Sequence, residues 1–161
     1  IEAVYKNCVG TTTILQCARE AGVKRFVYSS TSSGYGFNPS PNVETQPDDC
    51  LNPYSASKVA AEKFCKMYSD LYGLETVVLR YFNVFGARSP TTIDKKYLGQ
   101  VFNIGSGINY SVQEIADAIS DNQTYIPKRD GEMETTWSNI EKASEILGWK
   151  PEVDVLEWIK K

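Results

Sequence analysis

The sequence predicts an α/β fold: a short parallel sheet with helices, followed by a small α+β region. Helical and strand patterns alternate up to residue 90, as they do in a parallel sheet. The predicted strand at 75–81 is almost continuously apolar, which is typical of a strand covered on both faces. This alternation is lost after Pro90. We therefore expect two domains, residues 1–90 and 91–161.

The first half opens with an amphipathic helix over residues 1–21, with Gly22 as its stop. Its expected apolar stripe consists of Val4, Cys8, Leu15 and Ala18. A short buried strand at 26–28 then runs into a hydroxyl-rich loop at 29–36. In open α/β sheets, ligands bind where loops leave the carboxyl ends of strands. This loop is therefore a candidate site; the alternative is a flexible linker.

A second helix is expected from Asn52 to Gly73. Asn52 is a good N-cap, and Pro53 suits the first helical position because its missing N–H would have no partner there. The predicted buried stripe of this helix consists of Ala56, Val59, Ala60, Phe64 and Met67. The apolar strand at 75–81 follows.

In the second half, a strand is expected at 101–104, followed by the turn 105–107. A serine or aspartate followed three residues later by glutamate marks a helix start. Three such pairs occur: Ser111 with Glu114, Ser138 with Glu141, and Asp154 with Glu157. The second of these helices ends at Gly148.

Composition excludes several classes of function. The net charge of −3 argues against a nucleic-acid partner, and no apolar run is long enough to span a bilayer. The four cysteines lack C-x-x-C spacing, so reduced thiols in a cytoplasmic protein are expected. Histidine is absent, which excludes a histidine general base and a histidine-ligated metal; we expect no metal.

Tyr54 and Lys58 are four residues apart, on one face of the second helix. An adjacent ammonium favours the phenolate form of a tyrosine, whose free pKa is about 10. Tyr54 is therefore a candidate acid/base near neutral pH. Taken alone the spacing is common, and an exposed helix start with unrelated side chains is the alternative.

Several motifs coincide with this pair. They are N-C-V-G-T at 7–11, A-G-V-K-R-F-V-Y-S-S-T at 21–31, Y-G at 35–36, N-P-Y-S-A-S-K at 52–58, R-Y-F-N-V-F-G at 80–86, V-F-N-I-G-S-G at 101–107 and K-A-S-E-I-L-G-W-K-P at 142–151. In this order they resemble the extended short-chain dehydrogenase/reductase family, in its nucleotide-sugar epimerase and dehydratase branch. The resemblance implies a partial Rossmann-like NAD-binding domain followed by a truncated substrate-binding domain.

The resemblance also implies roles for individual residues. Tyr54 is similar to the family's acid/base, and Lys58 to the lysine that lowers its pKa and binds the nicotinamide ribose. Thr31 stands where the family has a catalytic serine or threonine that also contacts substrate. The positions that match cofactor contacts are Ser29, Ser30, Tyr54, Lys58 and Phe82.

Substrate contacts are implied at three further positions. Asn83 matches a residue near the substrate diphosphate. Arg129 and Glu132 resemble an R-x-G-D/E element, in which the arginine would hold a phosphate and the glutamate the nucleotide ribose. The alternative for Arg129 is a solvated charge.

Two departures from the family stand out. The G-x-x-G-x-x-G turn, which cradles the cofactor pyrophosphate at a helix N-terminus, does not occur in the sequence. An internal segment that includes an R-D-F/Y-I-x-V-x-D stretch is also missing between Pro90 and residue 101. We therefore expect a family member without its first strands and without an internal block: a fragment, a partial gene product or an incompletely recorded polypeptide.

Ser32 and Ser33 follow Thr31, where sugar dehydratases carry Asp and Glu and the decarboxylases carry Glu. A 4-epimerase pattern, which needs only Thr, Tyr, Lys and NAD, remains; Gly34, where valine is commoner, is a minor departure. The leading hypothesis is an NAD-dependent 4-epimerase acting on a UDP-hexose. The competing one is a non-catalytic, self-associating remnant of the fold.

A homodimer is expected. In the resembled family, the helices equivalent to 1–21 and 54–73 pack against their copies as a four-helix bundle. The strand at 26–28 also lacks a neighbour on one side within this sequence, and an unpaired apolar edge invites pairing with another chain. The alternative is a monomer whose tail covers that edge.

Overall fold

The computed structural model describes residues 1–84, 99–127 and 135–160. Three strands, β1 (Arg25–Thr31), β2 (Glu75–Tyr81) and β3 (Val101–Ile104), form one parallel sheet in the order β1-β2-β3. The predicted α/β fold with a short parallel sheet is confirmed. The boundary near residue 90 lies outside the described residues, so the division into two domains stays a prediction. The sheet itself includes a strand from either side of it.

The first helical segment runs from α1 (Glu2–Val4) through a π-helical stretch (Tyr5–Gly10) into α2 (Thr11–Glu20). Gly22 follows with a positive φ of 68°, as expected of the residue that ends a helix. The extra residue per turn in a π-helical stretch rotates the side chains around it. As a result Val4, expected in the apolar stripe, is exposed, while Leu15 and Ala18 are buried.

β1 is longer than predicted, because it continues through the serines to Thr31. Residues Ser32–Tyr35 leave the sheet as a single 3₁₀ turn, which Gly36 ends. The expected loop at 29–36 was wrong in its first three residues, because their backbone groups pair with β2 up to Tyr81. Hydroxyl side chains alternate across a strand as readily as apolar ones.

The long helix α3 (Pro53–Tyr72) begins and ends as predicted. The Asn52 side chain accepts from the backbone N–H of Ser55, and Gly73 closes the helix at φ 69°. Of its predicted buried stripe, Val59 is buried and Phe64 packs, partly buried, against the core, whereas Ala56 and Met67 are exposed. The residues that α3 buries are Ser55, Ser57, Val59, Ala61, Glu62, Cys65 and Tyr68. The larger apolar side chains Met67 and Leu71 point outward instead.

Two apolar clusters lie on opposite faces of the sheet. On one face, Tyr28 and Val78 pack against α2 and α3 through Leu15, Ala61 and Cys65. On the other face, β2 and β3 pack against the short helix α5 (Glu141–Leu147) through Val77, Leu79, Phe102 and Ile104 with Ala143. β1 has no such cover among the described residues, so Val27 and Ser29 are exposed there.

The remaining helices are α4 (Val112–Ile119) and α6 (Val155–Ile159). The Ser111–Glu114 capping box and the Asp154 cap are confirmed. The Ser138 cap was wrong: Ser138 is buried in a bridge with Asn42. In its place, Asn139 accepts from the backbone N–H of Glu141 at 2.8 Å. Over the residues described here, none of these helices has the length and apolar character that crossing a membrane requires.

Candidate active site

Three polypeptide segments meet at the carboxyl edge of the sheet. β1 ends at Thr31, directly beside Tyr81 at the end of β2, and the chain leaves β2 through Phe82 and Asn83. The N-terminal part of α3 carries Tyr54 to the same region, because Val59 of α3 contacts the turn that follows Thr31. In open parallel sheets this edge is where ligands bind.

The spacing on α3 sets out three functional groups along one helix face. Pro53 is the first helical residue, so Tyr54, Lys58 and Glu62 follow at intervals of four. Tyr54 is 47% exposed, Lys58 is partly buried, and Glu62 is 5% exposed. The face therefore passes from solvent at Tyr54 into the interior at Glu62.

Lys58 is held by β1. Its Nζ donates to the backbone carbonyl of Ser29 and lies 4.5 Å from the centroid of the Tyr28 ring. A carbonyl and an aromatic face both stabilise an ammonium. Burial lowers the pKa of Lys58, while the negative charge of Glu62 acts in the opposite direction. The lysine therefore has a fixed position beside the strand end.

Thr31 is 8% exposed and caps the turn that follows β1. Its hydroxyl accepts from the backbone N–H of Ser33 at 3.2 Å. A Cβ at Gly34 would come within 2.8 Å of a Val59 methyl group. A larger residue at this position would therefore require the turn or the Val59 side chain to shift.

Ser29 and Ser30 point to opposite faces, as alternation along a strand requires. Ser29 is exposed, whereas Ser30 is 5% exposed and donates its hydroxyl proton to Glu62. The structure thus places Ser29 on the free face of β1 and Ser30 against α3. Their predicted contacts with a cofactor stay predictions.

A buried ion pair beneath the site was missed from the sequence. Arg80 Nε lies 3.0 and 3.2 Å from the two carboxylate oxygens of Glu62, and its terminal nitrogen lies 2.6 Å from one of them. Arg80 also donates to Asp48 at 3.1 Å and lies 4.8 Å from the Tyr35 ring centroid. Glu62 and Arg80 are 18 residues apart in the sequence. The available signal was the continuation of the Tyr54 and Lys58 spacing to Glu62.

The loop after β2 places the last two predicted residues that the structure describes. Phe82 is 7% exposed, and its ring centroid lies 5.8 Å from that of Tyr35. Asn83 adopts a left-handed φ of 47° and donates to the Thr136 hydroxyl at 3.1 Å. Asn83 thereby joins the β2 loop to the second half of the chain. Arg129 and Glu132 lie outside the described residues.

The described residues contain no group of three or more Cys, Asp or Glu that could hold a metal ion. They do bring together Thr31, Lys58 and the helix face of Tyr54 at one sheet edge. Three parallel strands with these side chains near their carboxyl ends define a Rossmann-like α/β protein with a candidate ligand site at that edge.

The sequence profile of the NAD dependent epimerase/dehydratase family matches residues 1–112. The chain belongs to this family, which confirms the resemblance. It is 31% identical to a putative UDP-glucose 4-epimerase of Methanocaldococcus jannaschii, over 96% of this chain and 67% of that protein. It is 30% identical to a UDP-glucuronate 4-epimerase of Thermodesulfobacterium geofontis, over 98% of this chain and 64% of that protein.

Among solved structures, the UDP-glucuronic acid 4-epimerase of Bacillus cereus, in complex with UDP-glucuronic acid and NAD, superimposes with a TM-score of 0.86 at 25% identity. The match covers 98% of this chain and 66% of that one. The chain thus spans about two thirds of the length of its relatives. The M. jannaschii alignment runs over 205 positions, 44 more than the 161 residues of this chain. That relative therefore has residues inside the matched region without a counterpart here.

Proposed function

We propose that this chain carries the proton-transfer half of an NAD-dependent nucleotide-sugar 4-epimerase. The observation that supports this most is the anchoring of Lys58 on the Ser29 carbonyl. That bond places the Lys58 ammonium near the carboxyl edge of the sheet. Lys58 lies one helical turn after Tyr54, and Ser29 lies two residues before Thr31.

The three side chains divide the work. Tyr54 is half-exposed at the helix start, where its phenol can reach a sugar hydroxyl and take or return the proton. Lys58, held on the Ser29 carbonyl, supplies a positive charge one helical turn from Tyr54. Thr31 can donate or accept a hydrogen bond to the same sugar hydroxyl and so orient it towards Tyr54.

The residues fit the nicotinamide end of NAD. A partly buried ammonium lies on the Ser29 carbonyl near the strand end, and a half-exposed phenol precedes it by one helical turn on α3. Tyr54 and Lys58 would hold the nicotinamide ribose, with Phe82 and the serines of β1 nearby. Bound NAD supplies the hydride acceptor and donor that epimerisation at C4 requires. The sequence contains no glycine-rich turn for the pyrophosphate, so the proposed contacts concern the nicotinamide end of the cofactor alone.

A UDP-hexose is the favoured substrate class. The relatives are a putative UDP-glucose 4-epimerase and a UDP-glucuronate 4-epimerase, and Ser32 and Ser33 offer no carboxylate for dehydration or decarboxylation. Asn83, Arg129 and Glu132 are the predicted contacts to the nucleotide. No nucleic acid or membrane is expected as a partner, and four free cysteines favour the cytoplasm.

A homodimer is part of the proposal. The outward face of α3 carries an apolar stripe at helical spacing that none of the described residues fully covers: Ala56, Ala60, Met67 and Leu71. Leu71 is 66% exposed and Met67 39% exposed. Tyr5 and Val9, on the helical segment beside α3, are also exposed. A second copy would remove this apolar surface from water.

The same stripe favours a second candidate, a non-catalytic protein that folds and self-associates. The two candidates differ at the sheet edge. The enzyme requires Lys58 and Tyr54 to bind NAD and a nucleotide sugar, whereas the non-catalytic protein requires neither residue.

The test is conversion of UDP-glucose to UDP-galactose by the full chain with added NAD, followed by NMR of the sugar anomeric proton. Lys58→Met should abolish conversion. Lys142→Met is a matched control, because Lys142 also donates to a strand carbonyl, that of Val101 at 2.6 Å, and lies 4.7 Å from an aromatic ring centroid, that of Phe102. Conversion that survives Lys58→Met would contradict the proposed role. No conversion of UDP-glucose or UDP-glucuronate by the wild-type chain would favour the non-catalytic candidate.

A further inference from the structure

Glu62 is a buried carboxylate on the helix face that carries the proposed catalytic pair. It lies one turn beyond Lys58 and is 5% exposed. Burying a carboxylate is costly unless it is paired and hydrogen-bonded. A hydrophobic residue at position 62 would avoid that cost. The contacts of the Glu62 carboxylate therefore indicate what the charge contributes.

Arg80 holds Glu62 in a single orientation. Its guanidinium bonds both carboxylate oxygens, at 3.0 Å and 2.6 Å in the two shortest contacts. Arg80 is itself fixed by Asp48 at 3.1 Å and by the Tyr35 ring. Because a bidentate pair constrains both groups geometrically, Glu62 cannot turn away without breaking several bonds.

The carboxylate reaches the active-site strand through Ser30. The Glu62 oxygen that lies 3.0 Å from Arg80 Nε also accepts a hydrogen bond from the Ser30 hydroxyl. Ser30 lies between Ser29, whose carbonyl holds Lys58, and Thr31. One carboxylate therefore contacts the strand between two of the groups on which the proposed chemistry depends.

We propose that Glu62, fixed by Arg80, is a positioning residue that holds the end of β1 through Ser30 and thereby sets the place of the Lys58 ammonium. The catalytic consequence rests on the proposed function. The positioning itself is a property of this chain with or without turnover.

The surroundings of Lys58 single out Glu62 electrostatically as well. The groups that act on the charge of Lys58 are Glu62 and Cys65. Burial raises the pKa of the Cys65 thiol to about 12, and burial also raises the pKa of Tyr28, whose ring faces the ammonium. Both are therefore neutral near pH 7. Arg80, behind Glu62, is the cationic neighbour on β2.

The test is NMR of the lysine side chains in the full chain, without NAD or sugar. The Lys58 signal is assigned by its loss in Lys58→Arg. Ser30→Ala removes the link to the strand and leaves the Glu62–Arg80 pair intact. We expect it to shift the Lys58 ammonium signal and to speed exchange of its protons by about fivefold, as loss of one hydrogen bond of about 1 kcal/mol implies. Glu62→Gln should do the same and also lower the pKa of Lys58.

Glu75→Gln is the matched control. It breaks the Arg25–Glu75 contact at 3.3 Å between the same two strands, at their opposite end, and should leave the Lys58 signal unchanged. An unchanged Lys58 signal in Ser30→Ala would overturn the proposal, even where Glu62→Gln moves it, since Glu62 would then act by charge alone. If Glu62→Gln fails to fold, Ser30→Ala decides. Absence of epimerase activity would count against the proposed function and leave this result standing.

Discussion

Two regions of the molecule bury their side chains very differently. The sheet-and-α3 region consists of β1, β2, β3 and α3, and the C-terminal region consists of residues 105–127 and 135–160. Helix α3 buries seven residues, and five of the seven residues of β2 are buried. In the C-terminal region, helices α4 and α6 bury none, and Val112 is 86% exposed. Among the described residues, the side chains with proposed chemical roles lie on β1, on α3 or directly after β2, which is the well-buried region. The difference indicates that the precision a catalytic site needs comes from the region with the packed core.

Two lysines show the same difference in detail. Lys58 and Lys142 each donate to a strand carbonyl and each lie over an aromatic ring, and burial lowers the pKa of both. Lys58 meets β1 near its carboxyl end, whereas Lys142 meets β3 at its first residue. The two lysines therefore share their contact geometry and differ in position: only Lys58 lies near the carboxyl edge, where ligands bind in open parallel sheets.

The largest expected effect contrasts one tyrosine from each region. Tyr54→Phe removes the proposed acid/base and should lower epimerisation by at least about a hundredfold. Tyr125→Phe removes a hydroxyl that is bonded to Gln113 at 2.7 Å on an exposed side chain and should leave turnover unchanged. Initial rates with UDP-glucose measure both. Near-wild-type turnover in Tyr54→Phe would remove Tyr54 from the mechanism.

The next effect concerns stability and uses one chemical change in both regions. Val77→Ala deletes two methyl groups at a position with 0% exposure and should cost about 2 kcal/mol of unfolding free energy. Val112→Ala, at 86% exposure, should change it by less than about 0.5 kcal/mol. Urea unfolding followed by circular dichroism measures both. Equal costs would show that the two regions do not differ in packing as described.

A smaller effect tests the outward stripe of α3. Leu71→Lys places a charge on the proposed dimer surface and should weaken association by about tenfold or more, because a buried unpaired charge is unfavourable. Ile119→Lys is the control, since Ile119 is equally exposed at 66% but lies on α4. Light scattering over a range of micromolar concentrations reports the mass. A wild-type mass of about 18 kDa throughout would exclude the dimer.

The smallest effect is on acid stability. Burial alone would raise the pKa of Asp48, but Lys63 and Arg80 outweigh it and hold the pKa below its usual range. A carboxylate with a lowered folded pKa stabilises the protein above the unfolded value of about 3.9, and this contribution is lost as the pH falls through the folded pKa. Asp48→Asn should therefore flatten the fall in stability below about pH 4.

Asp154→Asn is the comparison for that experiment. The Tyr110 hydrogen bond lowers the pKa of Asp154, but this side chain is a helix cap, and asparagine caps as well as aspartate. We expect it to flatten the acid limb less than Asp48→Asn does, in urea titrations at pH 2, 3 and 4. The reverse order would contradict the assignment of the stronger electrostatic contribution to the sheet-and-α3 region.

The sequence predicted those parts of the fold that depend on local rules. Asn52, Pro53 and Gly73 bound α3 where capping chemistry places them, and the apolar run of β2 lies in the sheet as expected. Ser138 failed because its backbone pairs with Asn42, far away in the chain, and a long-range bridge overrides a local capping pattern.

The same contrast holds at the site. Tyr54 and Lys58 were singled out by their helical spacing together with the family resemblance, and Thr31 by the resemblance alone; their catalytic roles stay predictions. Glu62 and Arg80 were missed as a pair because they lie on two different elements; the only signal was the continuation of the Tyr54 and Lys58 spacing to Glu62, which does not reveal the arginine. The apolar stripe of α3 was assigned to the core because periodicity shows that residues share a face, not which surface covers that face.

The central claim is that the end of β1 and the start of α3 bind the nicotinamide end of NAD. Amide NMR of the full chain during NAD titration tests it most directly. The account predicts saturable shifts confined to residues near Ser29, Thr31, Tyr54, Lys58 and Phe82. The affinity for NAD obtained from these shifts should fall at least about tenfold in Lys58→Met, which corresponds to about 1.4 kcal/mol, and should be unchanged in Lys142→Met. No shifts at millimolar NAD, or shifts centred on residues 112–160, would contradict it.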